Sequence, residues 1–267
     1  MSTMHDDNNN NNILLRCDSV TRRFGGLVAV DNVSMTLSTG ELVGLIGPNG
    51  AGKTTFFNCL TGFTPPSDGK VYFKGEDITG IKPFQVTKRG VGRTFQNLRI
   101  MPNMTVFDNV SVGAIGKIGH NLTRTMFGFG HNALDEEISR KTWAILERIG
   151  LAHFGADLAA NLSYGKRKYL EIGRALATEP ALLILDEPAA GLNEQETRQL
   201  SEFITELHEK DGLPILLVEH DMSLVMSICK RVMVLASGAL IADDRPQAIQ
   251  KNPDVLEAYL GGEECRF

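Results

Sequence analysis

The segment Gly47 to Thr55, GPNGAGKTT, carries the residue types a phosphate group needs. Gly47, Gly50 and Gly52 let backbone N–H groups turn inward around phosphate oxygens, and Pro48, Asn49 and Ala51 complete the loop between them. Lys53 supplies a cation with the reach for β- and γ-phosphates. The Thr54 hydroxyl suits Mg²⁺, with Thr55 beside it. The loop follows an apolar run, Leu42 to Ile46, and precedes a segment of helical character. A helix starting there adds its positive dipole end to the same place.

Three further residues fit the same chemistry. Leu182 to Glu187 reads LLILDE, an apolar strand ending in two acids. Asp186 at the strand end suits Mg²⁺, and Glu187 suits a general base that polarises an attacking water. His220 ends the run PILLVEHD, where ligands bind in parallel sheets, and can reach a γ-phosphate. Together these residues predict a P-loop nucleoside triphosphatase that uses ATP and Mg²⁺. They leave open which kind.

Positioning those residues requires buried strands alternating with helices. Val28, Val30, Val33, Met35 and Leu37 partly alternate with polar residues, as half-buried strands do. A helix is predicted from Lys53 to about Leu60, and a strand over Lys70 to Lys74 after the turn Ser67-Asp68-Gly69. Asp135 to Leu151 has helical spacing of Ile138, Ile145, Leu146 and Ile149, and Gly113 to Asn132 reads as a loop. Ala181 to Leu185 and Pro214 to Val218 read as strands, Glu194 to Glu209 and Met222 to Lys230 as helices. Arg231 to Asp243 reads as a hairpin turning at Ser237-Gly238, and Asn252-Pro253 as the start of a last helix. The fold class is α/β: a mainly parallel sheet with helices on both faces, plus an antiparallel β subdomain.

Composition narrows the partners. The 267 residues carry a net charge of −5, with no clustered basic stripe, which argues against a nucleic-acid surface. Cys17, Cys59, Cys229 and Cys265 are isolated and show no metal-ligand spacing. No run of about 18 apolar residues spans a membrane, so any membrane role is that of a peripheral subunit. Residues 1–12, with Asn8 to Asn12, read as a disordered leader and not as a signal segment.

Asn161-Leu162-Ser163-Tyr164-Gly165-Lys166 lies ahead of a helix and of Asp186. With the phosphate loop, Gln96 in RTFQN, and His220, it resembles the ATP-binding cassette (ABC) family from about Leu14 onward. The resemblance implies an ABC ATPase core with an inserted helical signature subdomain. The expected division is core at 13–96, signature subdomain at 97–165 and core again at 166–267. It implies that Phe24 stacks on adenine, Gln96 senses Mg²⁺ and the attacking water, and Ser163, Tyr164 and Gly165 contact the ATP of an opposing subunit. Glu187 matches the catalytic base and His220 the switch histidine. The family's usual LSGGQ is LSYGK here, and Asn193 stands where the family generally has Asp.

RTFQN, MPNMTVFDNV, DEPAAGLN, LLVEHDM and NPDVLEAYLG resemble the ATP-binding subunit of branched-chain amino-acid importers. That resemblance implies two integral-membrane permease subunits, a second ATPase subunit (a copy or a paralogue) and a periplasmic or extracellular solute-binding protein. It implies a place on the cytoplasmic side of the bacterial inner membrane. Relatives serving urea, amides or other amino acids are the nearest alternative. A soluble ABC ATPase of DNA repair or translation is another, but it usually carries a coiled-coil insertion or a second cassette. A regulatory subunit without turnover is a third, against which Lys53, Asp186, Glu187 and His220 stand intact.

Overall fold

The computed structural model describes residues 12–118, 131–220 and 222–260. The chain opens with two long antiparallel strands, β1 (Ile13–Phe24) and β2 (Leu27–Ser38). β3 (Leu42–Ile46) runs into the phosphate loop and α1 (Lys53–Leu60). β4 (Asp68–Phe73), β5 (Glu76–Asp77), α2 (Pro83–Arg89) and β6 (Val91–Arg93) follow. Three helices come next: α3 (Val106–Ile118), α4 (His131–Arg148) and α5 (Tyr164–Leu176). Then come β7 (Leu182–Asp186), α6 (Glu194–Glu209), β8 (Ile215–Val218) and α7 (Met222–Ile228). A hairpin, β9 (Arg231–Ala236) and β10 (Ala239–Asp244), precedes α8 (Pro246–Ile249) and α9 (Pro253–Leu260).

The chain divides into two compact units, one built from residues before 90 and after 198, the other from Gly90 to Arg198. In the first unit an antiparallel sheet has the order β2-β1-β4-β5. The unit also holds β10, β9, β3 and β8, with β3 parallel to both β8 and β9. All five residues of β3 are buried, as expected of a strand paired on both edges and covered on both faces. Gly44, at its centre, is required by packing: a Cβ there would lie 2.4 Å from the Val225 side chain on α7. The β9–β10 hairpin turns at Ser237 (φ 46°) and Gly238 (φ 82°). Two left-handed residues in succession make the turn whose twist matches its strands.

In the second unit β6 runs parallel to β7, Arg93 opposite Ile184. The region expected as a loop from Gly113 to Asn132 is instead helical through Ile118. Glycine reads as a helix breaker, but here Gly113 serves close packing: a Cβ would lie 2.5 Å from the Arg174 carbonyl oxygen on α5. Residues 119–130 of that stretch lie outside the described residues, and the next helix starts at His131, ahead of the expected Asp135. The leader through residue 11 also lies outside them, while the Asn12 carbonyl accepts a hydrogen bond from the Thr39 N–H at 2.8 Å. Among the described residues no helix is long and apolar enough to cross a membrane.

Candidate functional site

The first unit carries the phosphate loop. Gly50 and Gly52 have φ of 80° and 96°, the left-handed conformations that turn the backbone inward. At Gly52 a Cβ would lie 2.3 Å from the Ala29 carbonyl oxygen, and at Gly47 one would lie 2.1 Å from that of Leu235. The loop is braced from outside: the Gly238 N–H donates to the Ala51 carbonyl at 3.0 Å, and the Asp31 N–H to the Gly238 carbonyl at 2.8 Å. Pro48 accepts from the Ala51 N–H at 3.2 Å. Lys53 is buried, and its Nζ donates to the Gly47 carbonyl at 2.5 Å and the Pro48 carbonyl at 3.0 Å. The ammonium is thus held against the backbone of the loop itself. Thr54 and Asn49 are exposed, and Thr55 is half-buried.

Two other residues of this unit follow from strand geometry. Leu45 lies opposite Val218, so Gly47 and His220 each stand two residues beyond that paired position, past the carboxyl ends of β3 and β8. The His220 side chain is 56% exposed. Phe24 ends β1 with its ring 46% exposed and the Arg22 guanidinium 4.5 Å from its centroid. An exposed aromatic ring at a strand end suits stacking on a planar base.

The second unit carries the acids. The β6–β7 register sets Gln96 level with Glu187, both just past the carboxyl ends of their strands. Asp186 is buried and pairs through Oδ2 with Arg93 Nη2 at 3.0 Å. Its own N–H donates to Thr94 Oγ1 at 3.2 Å. Burial pushes the Asp186 carboxyl above its ordinary value, and Arg93 draws it back. Glu187 holds φ at 48°, an unusual left-handed conformation for a side chain of this size, of the kind that gathers at functional sites. Its Oε2 accepts from Gln96 Nε2 at 2.9 Å, and its carbonyl accepts from Lys168 Nζ at 3.2 Å.

Ser163 is the N-cap of α5, its Oγ accepting from the Lys166 N–H at 3.5 Å. Tyr164 departs from the family glycine because its ring has a seat: the hydroxyl donates to the Ala190 carbonyl at 3.3 Å. A Cβ on Gly191 would lie 2.9 Å from that ring, and one on Gly165 would lie 2.7 Å from Glu196 Oε1. Lys166 places its ammonium 3.7 Å from the centroid of Phe154. Asn193 accepts from the Glu196 N–H at 2.9 Å and donates its N–H to Glu196 Oε2 at 3.0 Å, a reciprocal cap on α6 that Asn forms as well as Asp.

Sequence reasoning passed over Arg93, Lys168 and Glu171. Arg93 is the first residue of RTFQN. Lys168, Glu171 and Ala175 are buried at helical spacing on α5, a stripe that only its apolar members announce. Among the described residues no three His, Cys, Asp or Glu side chains gather as a metal cage. Each unit offers an oxygen donor of the kind Mg²⁺ takes, the exposed Thr54 in the first and the buried Asp186 carboxylate in the second.

Comparison with known proteins gives the following. Residues 30–190 match the family model for the ABC transporter, and residues 239–265 match that for the Branched-chain amino acid ATP-binding cassette transporter. The High-affinity branched-chain amino acid transport ATP-binding protein LivG of Escherichia coli (strain K12) is 45% identical over 251 residues, covering 93% of this chain and 98% of that protein. BraF of Pseudomonas aeruginosa, named for the same transport, is 42% identical over the same shares. The crystal structure of the ADP conformation of MJ1267, an ATP-binding cassette of an ABC transporter, superimposes with a TM-score of 0.82 at 34% identity, covering 93% of this chain and 99% of that one.

Proposed function

Since the chain belongs to the ABC transporter family and is an ATPase of that family, we propose that it powers the uptake of branched-chain amino acids through two integral-membrane permease subunits. The observation that carries the solute class is the match of residues 239–265 to the branched-chain model, a segment remote from the phosphate loop in sequence. The 45% identity to LivG supports the same reading. On it, the chain sits on the cytoplasmic side of the inner membrane, paired with a second ATPase subunit, and a solute-binding protein delivers cargo to the permeases from outside.

The residues then take these roles. Phe24 stacks on the adenine. The backbone of Gly47 to Thr55 and the Lys53 ammonium bind the phosphates. Thr54, Asp186 and Gln96 hold Mg²⁺, which when bound neutralises charge developing on the phosphoryl oxygens. Glu187 takes a proton from the attacking water, and His220 meets the γ-phosphate. Ser163, Tyr164 and Gly165, within the signature segment of 97–165, complete the site of the opposing subunit, so nucleotide stabilises the closed pair and hydrolysis reopens it.

The test is reconstitution with the permeases that co-purify from membranes. Leucine, isoleucine or valine, presented with the solute-binding protein, is expected to raise ATP turnover and enter the vesicle. Stimulation by urea or a short amide instead would reassign the cargo. Turnover indifferent to every solute and to the membrane would point to a soluble ATPase.

A further inference from the structure

The loop bearing Gln96 is held to α5 at two points, both remote from the phosphate-binding residues in role. Glu171 lies two turns into α5 and is 5% exposed. Its Oε1 accepts from the backbone N–H of Phe95 at 3.2 Å and from that of Arg99 at 3.3 Å. Those two amides bracket Gln96. Three residues further along the same helix face, the Arg174 guanidinium donates to the Arg99 carbonyl. The Phe95 ring carries the guanidinium of Arg93 at 4.9 Å and that of Arg99 at 4.2 Å from its centroid.

A buried carboxylate is costly, and its burial here pushes the carboxyl above its ordinary value while the Arg99 and Phe95 amides act against that. Apolar packing alone would have filled the position with Leu or Ile at no such cost. What a carboxylate adds is one acceptor atom serving two loop amides, which fixes the backbone on both sides of a single side chain. That side chain is Gln96, already hydrogen-bonded to Glu187 at 2.9 Å. At the N-terminus of the same helix, two turns before Glu171, stands the Ser163 cap.

We propose that Glu171 is a positioning residue for hydrolysis: it ties the Gln96 loop to the signature helix, so that Gln96 meets Glu187 correctly only while α5 holds its place. The inference rests on the role proposed above for Gln96. It makes α5 a rod with two readers, the signature at its N-terminus and the sensor loop two turns along.

The test uses the purified full-length chain. Glu171→Ala and Glu171→Gln are measured for ATPase kcat and KM, alone and in a Gln96→Ala background. Glu171→Ala is expected to lower kcat by about tenfold or more while the KM for ATP stays within about twofold, since ångström-scale misplacement acts on the chemical step. Glu171→Gln keeps an oxygen acceptor at the same reach and is expected to hold kcat within about threefold. In the Gln96→Ala background Glu171→Ala is expected to add no further loss, because the two residues act as one unit. Losses that multiply in the double variant, or an unchanged kcat in Glu171→Ala, overturn the inference. Full turnover in Gln96→Ala alone overturns the Gln96 role instead, so the two failures are distinct. Should Glu171→Ala not fold, Arg174→Met removes the second tie from the same loop. Its loss in kcat must likewise vanish in the Gln96→Ala background, and a loss that persists there overturns the inference.

Discussion

Gln96 donates its side-chain amide to the Glu187 carboxylate at 2.9 Å, across two parallel strand ends. The proposed sensor and the proposed base are thus a hydrogen-bonded pair, and Glu187 is further fixed through its carbonyl by Lys168. The strained φ of Glu187 is sustained by these partners, since a left-handed glutamate needs surroundings that determine it.

Glu187→Gln keeps an oxygen that can accept from Gln96 and removes only the basicity. Turnover is expected to fall by about a hundredfold or more, the range of a lost general base, with ATP binding retained. Size exclusion with ATP and Mg²⁺ should then show a dimer that the unmodified chain does not accumulate. A variant that still turns over at full rate would remove Glu187 from the mechanism.

Gly52→Ala puts a Cβ at a left-handed φ of 96° and within 2.3 Å of the Ala29 carbonyl oxygen. Backbone strain of about 1–3 kcal/mol falls on the loop itself, so affinity for a fluorescent ATP analogue should drop roughly tenfold to a hundredfold. Nucleotide titration followed by fluorescence measures this. Unchanged affinity would mean that the loop reshapes without cost.

Arg93→Met leaves the buried Asp186 carboxylate without its cation. Breaking one side of such a pair costs about 3–5 kcal/mol, read by urea denaturation. The sign with pH follows from the raised Asp186 carboxyl. A carboxyl raised on folding contributes stability below its ordinary value and loses it as pH rises through the folded value. Removing Arg93 raises that folded value further, so the deficit should be larger at about pH 7 than at about pH 5. The added change Asp186→Asn should recover part of it. A deficit independent of pH would show that the pair is not its source.

Burial pushes the Cys59 thiol from 9.0 up to about 11, and those of Cys17 and Cys229 rise as well. A rise of that size cuts the thiolate fraction about a hundredfold, so at about pH 8 iodoacetamide should label all three at least that much more slowly in the native chain than in urea. Mass spectrometry of each peptide gives the rates. Fast native labelling of Cys59 would place it at an opening in the fold.

Much of the site could be read directly because its residues announce themselves by type and order. Gly47 to Thr55 follows a buried strand and runs into a helix spanning Lys53 to Leu60, as its spacing implied. The Ser237-Gly238 hairpin was equally plain, since few residues accept its backbone. The helix through Gly113 was not, because a glycine chosen for close approach to Arg174 looks the same in sequence as one chosen to end a helix. Arg93, Lys168 and Glu171 were hidden for a related reason. Charged residues read as surface, and only the fold shows that their partners, Asp186, the Glu187 carbonyl and the Phe95 and Arg99 amides, are brought in to meet them.

Tyr164 and Gly191 occupy one volume between them, since a Cβ at 191 would stand 2.9 Å from the tyrosine ring. That makes the two positions historically dependent. A lineage holding Tyr164 cannot place a side chain at 191 without first shrinking residue 164, whereas one with glycine at 164 meets no such obstacle from the ring. The order of substitutions is therefore constrained: a side chain at 191 becomes acceptable only after residue 164 has lost its ring, whereas the reverse order passes through a clash.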